Sequence, residues 1–320
     1  MSMHRRAFLG AASITALAPQ LARGQSQPPL RIIVPFSAGS GTDNGARVLA
    51  DAITKASGRI TVVDNKPGAG NVIGSLELVR ARPDGNTMMY TTGGHTTNAA
   101  LMKKLPYDPI ADFTPVTLVT RASGFALLVG DKSPFRTIEQ FIAAAGAEPG
   151  KLTFGSSGIG NTTHLMGVFF CKGVGIDLLH VPFKGTPTNE LIGGIVDSAF
   201  LGPAVAAQAI RAGQLRGLGI SGPKRSPLLP DAPTFAERGL DVRDIPGWTG
   251  VFAPPNLPAD VLQTLYDTVA KGAGQPSFKT YSRDNGGDVE LLPPAPFRAY
   301  VTSEIERYRR ELPPLGIQLN

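Results

Sequence analysis

Leu30-Arg31-Ile32-Ile33-Val34-Pro35-Phe36-Ser37-Ala38-Gly39-Ser40-Gly41-Thr42-Asp43, running on to Ala56, decides how this chain is read. Its first five residues form an apolar strand. Small residues follow in a loop, and then Ala46, Leu49, Ala50 and Ile53 fall on one face of a helix. A small-residue loop between a strand end and a helix start directs several backbone N–H groups at one spot. Those donors have no partner inside the helix, and the helix dipole adds partial positive charge there. The spot suits an anion, and a carboxylate is the expected one.

Outward from this stretch, the N-terminus reads as an address. Arg5-Arg6-Ala7-Phe8-Leu9-Gly10 is a twin-arginine pattern, followed by a short apolar run to Leu17 and by Ala22-Arg23-Gly24. That run is shorter than the ~20 residues that span a bilayer. A signal peptide over 1–24 is therefore expected, with a soluble periplasmic protein after cleavage. Loss of Arg5, Arg6 and Arg23, with no acid, lowers the net charge from +6 to +3. Without a Lys/Arg cluster or interleaved aromatics, the remainder carries no nucleic-acid footprint. Cys171, beside Phe169 and Phe170, has no second cysteine to pair with and reads as a small buried hydrophobe.

Strand and helix signals alternate along the rest of the chain. Ile60–Asp64 is a β-branched strand, Asn65–Gly70 a turn, Ile73–Arg80 helical, and Thr87–Thr92 a strand ending in Gly93-Gly94-His95-Thr96-Thr97-Asn98. Val116–Thr120 and Phe125–Val129 read as extended. Thr137-Ile138-Glu139-Gln140 fits a capping box. The opening motif then recurs: strand Leu152–Phe154, loop Gly155-Ser156-Ser157-Gly158-Ile159-Gly160-Asn161-Thr162-Thr163, and a helix carrying Leu165, Phe169 and Phe170. Strands at Leu179–Phe183, Leu215–Ser221 and Trp248–Ala253 follow, and three helical segments close the chain. Ligands of open α/β sheets sit beyond the carboxyl ends of the strands. Two such sets of loops facing one another make a clamshell around a small polar molecule.

The same stretch also admits a Rossmann reading, an exported NAD(P)-binding oxidoreductase, with Asp64 about 20 residues on as the ribose contact. Gly39 to Gly45 is GxGxxxG, however, one residue longer than the fingerprint, which turns the third glycine ~100° away. No Lys follows the glycines as a phosphate loop requires, and no GxSxG occurs. His95, His164 and His180 show no metal-ligand spacing. Neither a metal, a cofactor nor a catalytic acid–base pair is expected.

Several motifs in fixed order carry a likeness to a known family. They are Val34-Pro35-Phe36 to Asp43 with Ala46-Arg47, Asn65-Lys66-Pro67-Gly68-Ala69-Gly70, Pro83-Asp84-Gly85, and Leu105-Pro106-Tyr107-Asp108-Pro109. His164-Leu165, His180-Val181-Pro182-Phe183-Lys184-Gly185, Leu229-Pro230-Asp231-Ala232-Pro233-Thr234 and Trp248-Thr249-Gly250 continue it. Over nearly the whole mature chain the sequence resembles substrate-binding proteins of the tripartite tricarboxylate transporter family, the Bordetella-uptake-gene type. The resemblance implies a type II, Venus-flytrap periplasmic binding protein, each domain a mixed sheet flanked by helices. It implies no catalysis, a small mono-, di- or tricarboxylate as ligand, membrane transporter subunits as partners, and a monomer. The domains are expected at 28–127 with 250–320, and at 128–249.

Carried onto this sequence, the ligand contacts fall on Phe36 to Asp43 and Ser157 to His164. Within the first loop, Phe36, Ser37, Ala38 and Gly39 offer backbone, and Ser40 and Thr42 offer hydroxyls. Asp43 is read either as the helix cap or as a contact through its N–H. In the second loop, Ser157, Gly158, Asn161, Thr162 and Thr163 form the other jaw. His164 is either a packed helix residue or a contact. His95 and Lys184, each near a strand end, are further candidates, and Trp248 either lines the cleft or packs the hinge. Asn161 and Val168 depart from the Ser and Glu common in such proteins.

Overall fold

The computed structural model describes residues 28–102, 104–122 and 124–315; the expected signal peptide over 1–24 lies outside them. β1 (Leu30–Val34), α1 (Gly41–Ser57), β2 (Thr61–Asn65), α2 (Val72–Val79), β3 (Thr87–Thr92), α3 (Gly94–Leu101) and β4 (Thr114–Ala122) come first. The chain then builds β5 (Ala126–Gly130), α4 (Ile138–Ala147), β6 (Thr153–Ser156), α5 (Thr162–Val174), β7 (Leu179–Pro182), α6 (Thr188–Ile192), β8 (Ser198–Leu201), α7 (Pro203–Arg211) and β9 (Leu215–Ile220). It closes with β10 (Trp248–Ala253), α8 (Ala259–Ala273), α9 (Pro276–Asp284), β11 (Gly287–Leu292) and α10 (Pro294–Glu311).

The strands form two sheets, ordered β11-β4-β10-β3-β1-β2 and β7-β6-β8-β5-β9. The same unit lies in each. β1 pairs parallel with β2 and β3, and antiparallel β10 lies beside β3. In the second sheet β6 pairs parallel with β7 and β8, and antiparallel β5 lies beside β8. Chain segments cross between the sheets twice, from β4 to β5 and from β9 to β10. This is the two-domain α/β binding-protein architecture.

Burial follows the expected faces. Leu30, Ile32 and Val34 of β1 and Ala46, Leu49 and Ile53 of α1 are fully buried in the first core, and Ile33 is buried in a separate cluster with Trp248 and Phe297. There α1 packs closely on α8, since a Cβ on Gly272 would sit 2.4 Å from Ile53. Phe141, Phe154, Phe170, Phe200 and Phe235 fill one face of the second sheet. Leu101 of α3 and Tyr308 and Leu312 at the end of α10 join that second core, fastening the C-terminus across the lobes.

Some elements departed from the sequence reading. Gly93 to Asn98, expected as a loop, is the cap and the start of α3. Its Thr, Asn and His residues are weak helix formers, but burial decides the outcome, and Thr96 Oγ1 donates back to the Gly93 carbonyl at 2.8 Å. The short strands β8 and β11 and helix α7 are not among the elements read from the sequence. Thr137 does cap α4, accepting from Gln140 N, while Gln140 Oε1 reaches back to Arg136 N.

Candidate functional site

Parallel strands joined by crossover helices put every helix N-terminus at the same edge of the sheet. The two sheets face those edges toward each other across a cavity of about 410 Å³. Gly41 and Thr42 of α1 and Gly93 and Thr97 of α3 line it from the first lobe. Asn161 and Thr162 of α5, with Gly202, Ala204 and Val205 of α7, line it from the second. Strand β10 provides the floor with Trp248 and Thr249.

The backbone donors can be counted at each helix start. In α1, Ser40 Oγ accepts from Asp43 N at 3.2 Å, leaving the Gly41 and Thr42 N–H groups without an acceptor among the described residues. In α5, Asn161 Oδ1 accepts from Thr163 N, leaving the Thr162 N–H. α7 begins with Gly202 as cap and Pro203, which has no N–H, so the Ala204 and Val205 N–H groups are free among the described residues. Five amides from three helices therefore belong to residues of one cavity wall, at the positive ends of their dipoles.

Side chains supply hydroxyls and rings, and among the described residues no Asp, Glu, Lys or Arg lines the cavity. Tyr90 OH donates to Thr249 Oγ1 at 2.8 Å, and Thr249 Oγ1 lies 2.7 Å from Thr120 Oγ1. Burial raises the Tyr90 phenol above its usual range, which keeps it a neutral donor. Tyr281 OH donates to the Gly41 carbonyl at 3.3 Å, tying α9 to the first loop. Trp248 is fixed from behind: its Nε1 donates to buried Glu304, which also accepts from Thr96 and Arg307.

Of the residues expected at the site, Phe36, Thr42, Asn161 and Thr162 lie on the wall. The others fall elsewhere, and hydrogen bonding explains most of them. Asp43 is buried, with its carboxylate accepting from Gly39 N (2.8 Å), Arg47 Nε (3.0 Å) and Asn65 Nδ2 (2.8 Å). Burial alone would raise that carboxyl, but the bonds from Arg47, Gly39 and Asn65 hold it below its usual range. Asp43 thus consumes the Gly39 amide that was expected to face a ligand. Ser40 is the cap, and Ser37 and Ala38 are exposed on the outer side of the turn, where Gly39 adopts a φ of +82°. Ser157 N donates to buried Thr163 Oγ1, and Gly158 N to Ser156 Oγ, so these three residues brace the second loop from within. His164 accepts from Gly160 N at 3.0 Å through Nδ1 and stacks on His180 at 3.9 Å. It is the packed helix residue of the two readings. His95 sits in α3 with its Nε2 on the Pro109 carbonyl and its ring between Phe113 and Phe252, so it points into the core. Lys184 is exposed on the turn after β7, outside the wall.

The wall also contains residues the sequence reading did not single out: Gly202, Ala204, Val205, Thr120, Tyr90, and the patch Phe278, Tyr281 and Asn285. Gly202-Pro203 was a usable signal for α7, since Pro is favoured at the first helical position. Asp64, the ribose contact of the dinucleotide reading, is engaged by Arg31 Nε at 2.9 Å and lies near Lys66.

A duplicated α/β unit, two crossings and a cleft edged by helix N-termini, with no charged side chain among its described lining residues, define a bilobal solute-binding protein. The chain belongs to the tripartite tricarboxylate transporter family of receptors, whose model matches residues 45–310. It is similar to the periplasmic binding protein BugD (30% identity, TM-score 0.81, 91% of this chain and 99% of that one). It is similar also to MatC of Rhodopseudomonas palustris, solved with bound malate (29%, 0.78, 88% and 98%). R. palustris Rpa4515, solved with adipate, is a third such structure (29%, 0.81, 91% and 98%).

Proposed function

We propose that this protein is an extracytoplasmic receptor that closes on a small carboxylate and delivers it to the membrane subunits of a tripartite tricarboxylate-type transporter. In this reading the twin-arginine leader exports it to the periplasm, where it acts as a monomer and catalyses nothing. The observation that carries the reading is that five amides without an acceptor among the described residues, from both lobes, belong to residues lining one cavity, and that no described lining residue is acidic. Each hydrogen bond to a carboxylate contributes ~1.5–3 kcal/mol, so a few of them offset the cost of association and leave micromolar affinity.

The carboxylate sits between α1 and the paired starts of α5 and α7, with the Thr42 and Thr162 hydroxyls beside the amides. The two crossings act as the hinge. Relatives solved with malate and adipate support the ligand class. The test is calorimetric titration with mono-, di- and tricarboxylates. Replacing Thr42 and Thr162 together by Leu should abolish the heat while ligand-free melting stays within ~1 °C. Undiminished affinity in that variant, or no heat from any carboxylate with the unaltered protein, would sink the reading.

A further inference from the structure

We propose that a chain of hydroxyls in the first lobe, from Tyr90, Thr249 and Thr120, reads a hydroxyl on the body of the guest. The preferred ligand is then a hydroxycarboxylate whose hydroxyl stands away from its carboxylate. This rests on the carboxylate-receptor reading and narrows it.

The chain is built across strands that lie side by side in the order β4-β10-β3. Thr249 of β10 sits opposite Thr120 of β4, and the two Oγ1 atoms are 2.7 Å apart. Tyr90 of β3 reaches the same Thr249 oxygen and donates to it at 2.8 Å. Each of these residues lines the cavity. The hydrogens can be counted. Three hydroxyls carry three hydrogens, and the two bonds use two of them. Whichever threonine donates in the Thr120–Thr249 bond, the other keeps a hydrogen without an acceptor among the described residues. Tyr90 Oη gives its hydrogen and receives none there, so it keeps an open acceptor position.

The chain therefore presents one donor and one acceptor. A hydroxyl answers both at once. In one arrangement the guest hydroxyl closes a ring in which each member donates to the next: Tyr90 to Thr249, Thr249 to Thr120, Thr120 to the guest, and the guest to Tyr90. Bonds in such a ring polarise and strengthen one another. Tyr90 is buried and both threonines are half-buried. A guest without the hydroxyl leaves these groups to a trapped water or to no partner, which costs affinity.

Gly45 sets where that hydroxyl belongs. It lies on α1 one turn beyond Gly41, a rise of about 6 Å. A Cβ on Gly45 would lie 3.2 Å from Tyr90 Oη and 3.5 Å from Tyr281 Cε1. The glycine thus keeps open the space before the tyrosine, a helical turn away from the Gly41 and Thr42 amides. A hydroxyl on the carbon next to the carboxylate does not cross that gap. One at the far end of a short chain, or para on a ring, does.

Matched pairs that differ by one hydroxyl test this by calorimetry at pH 7, on mature protein stripped of ligand by refolding. The pairs are 5-hydroxypentanoate with pentanoate and 4-hydroxybenzoate with benzoate; 2-hydroxypentanoate is the positional control. In at least one pair the hydroxy compound should bind tenfold tighter or more, and the 2-hydroxy isomer should not share that gain. A smaller gain in both pairs, no heat from either pair while another carboxylate binds, or an equal gain from the 2-hydroxy isomer overturns the proposal and leaves the receptor reading intact. No heat from any carboxylate overturns both. Two variants read the same hydroxy-over-deoxy ratio from the protein side. Tyr90→Phe with Thr120→Val and Thr249→Val removes the chain at nearly constant volume, and the ratio should fall to within twofold of one. Gly45→Ala sets a methyl against Tyr90 Oη at a helical position where alanine is favoured, so it carries the test should the first variant not fold. There the ratio should fall at least fivefold. An unchanged ratio in a folded variant of either kind overturns the role of the chain.

Discussion

Asp43→Asn is the most informative single change, because Asp43 was a candidate contact in the sequence and is a brace in the structure. Its Oδ2 accepts from Gly39 N at 2.8 Å and Arg47 Nε at 3.0 Å, and its Oδ1 from Asn65 Nδ2 at 2.8 Å. An amide at this position has one oxygen and one NH2, and all three surrounding groups are donors. Placed toward Gly39 and Arg47, the new NH2 opposes two donors; placed the other way, it opposes Asn65. Flipping Asn65 gives no relief, because its own Oδ1 accepts from Arg47 Nη2 and its Nδ2 also donates to the Phe36 carbonyl. The variant therefore loses the charge from all three bonds and faces one donor with another, a cost of about 2–4 kcal/mol. At ~2–4 °C per kcal/mol, melting should fall by about 4–16 °C. The loop that Asp43 closes carries Gly41 and Thr42, so carboxylate affinity should fall roughly tenfold as the competent loop loses population. Calorimetry and thermal melting on the same sample decide the matter. Tighter binding would mean that the Asp43 charge repels the ligand. Lost binding with unchanged melting would mean that Asp43 touches it. Either result refutes the brace.

Gly41 and Gly202 line the cavity from opposite lobes with ordinary negative φ, and a Cβ on either meets nothing within 4 Å. Gly41→Leu and Gly202→Leu should each lower carboxylate affinity at least thirtyfold with melting unchanged within ~2 °C, read by the same two measurements. Gly124, between β4 and β5, has a φ of +66°, and a Cβ there would lie 1.9 Å from the Ser221 carbonyl oxygen. Gly124→Ala should therefore destabilise the fold by ~3 kcal/mol or more in urea unfolding. Burial pushes His95 down to about 4, and burial with neighbouring His180 does the same to His164. Each stays neutral in the fold and takes a proton on unfolding, so this stability is complete above about pH 6.5. It is lost as pH falls from there toward 4, by on the order of 3 kcal/mol per residue. Melting temperature should drop between pH 6.5 and 4, and a flat profile would contradict the burial of both rings.

The first half of the site was legible because one local pattern encodes it: an apolar strand, a small-residue turn and an amphipathic helix within Leu30 to Ala56. The fully buried face Ala46, Leu49 and Ile53 is the one the 3.6-residue spacing predicts. The second lobe repeats the pattern at Phe154 to Leu165, so Asn161 and Thr162 could be found by analogy. His95 could not be placed, because its position depends on α3, a helix of eight residues whose Thr, His and Asn content argues for a loop. Burial of Thr96 and Thr97, and of Leu101 in the second core, decides that helix, and burial is not a local property. Nor could the Tyr90–Thr249 bond be inferred, since it joins residues 159 positions apart.

Within a functional loop, the sequence also does not distinguish a residue that touches the guest from one that holds the loop. Gly39, Ser40 and Asp43 all look like ligands by type, but they bond to one another and to Arg47 and Asn65. That internal closure has a physical purpose. An anion site made of backbone amides has only partial charge to attract its guest, so its strength depends on the amides staying aligned before the guest arrives. Ser40 and Asp43 on one lobe, and Asn161 and Thr163 on the other, consume neighbouring donors and leave those of Gly41, Thr42 and Thr162 without an acceptor among the described residues. The polar residues nearest the site thus act mainly by shaping which backbone groups remain free, and side chains with no polar atom, such as Gly202, Ala204 and Val205, stand on the wall itself.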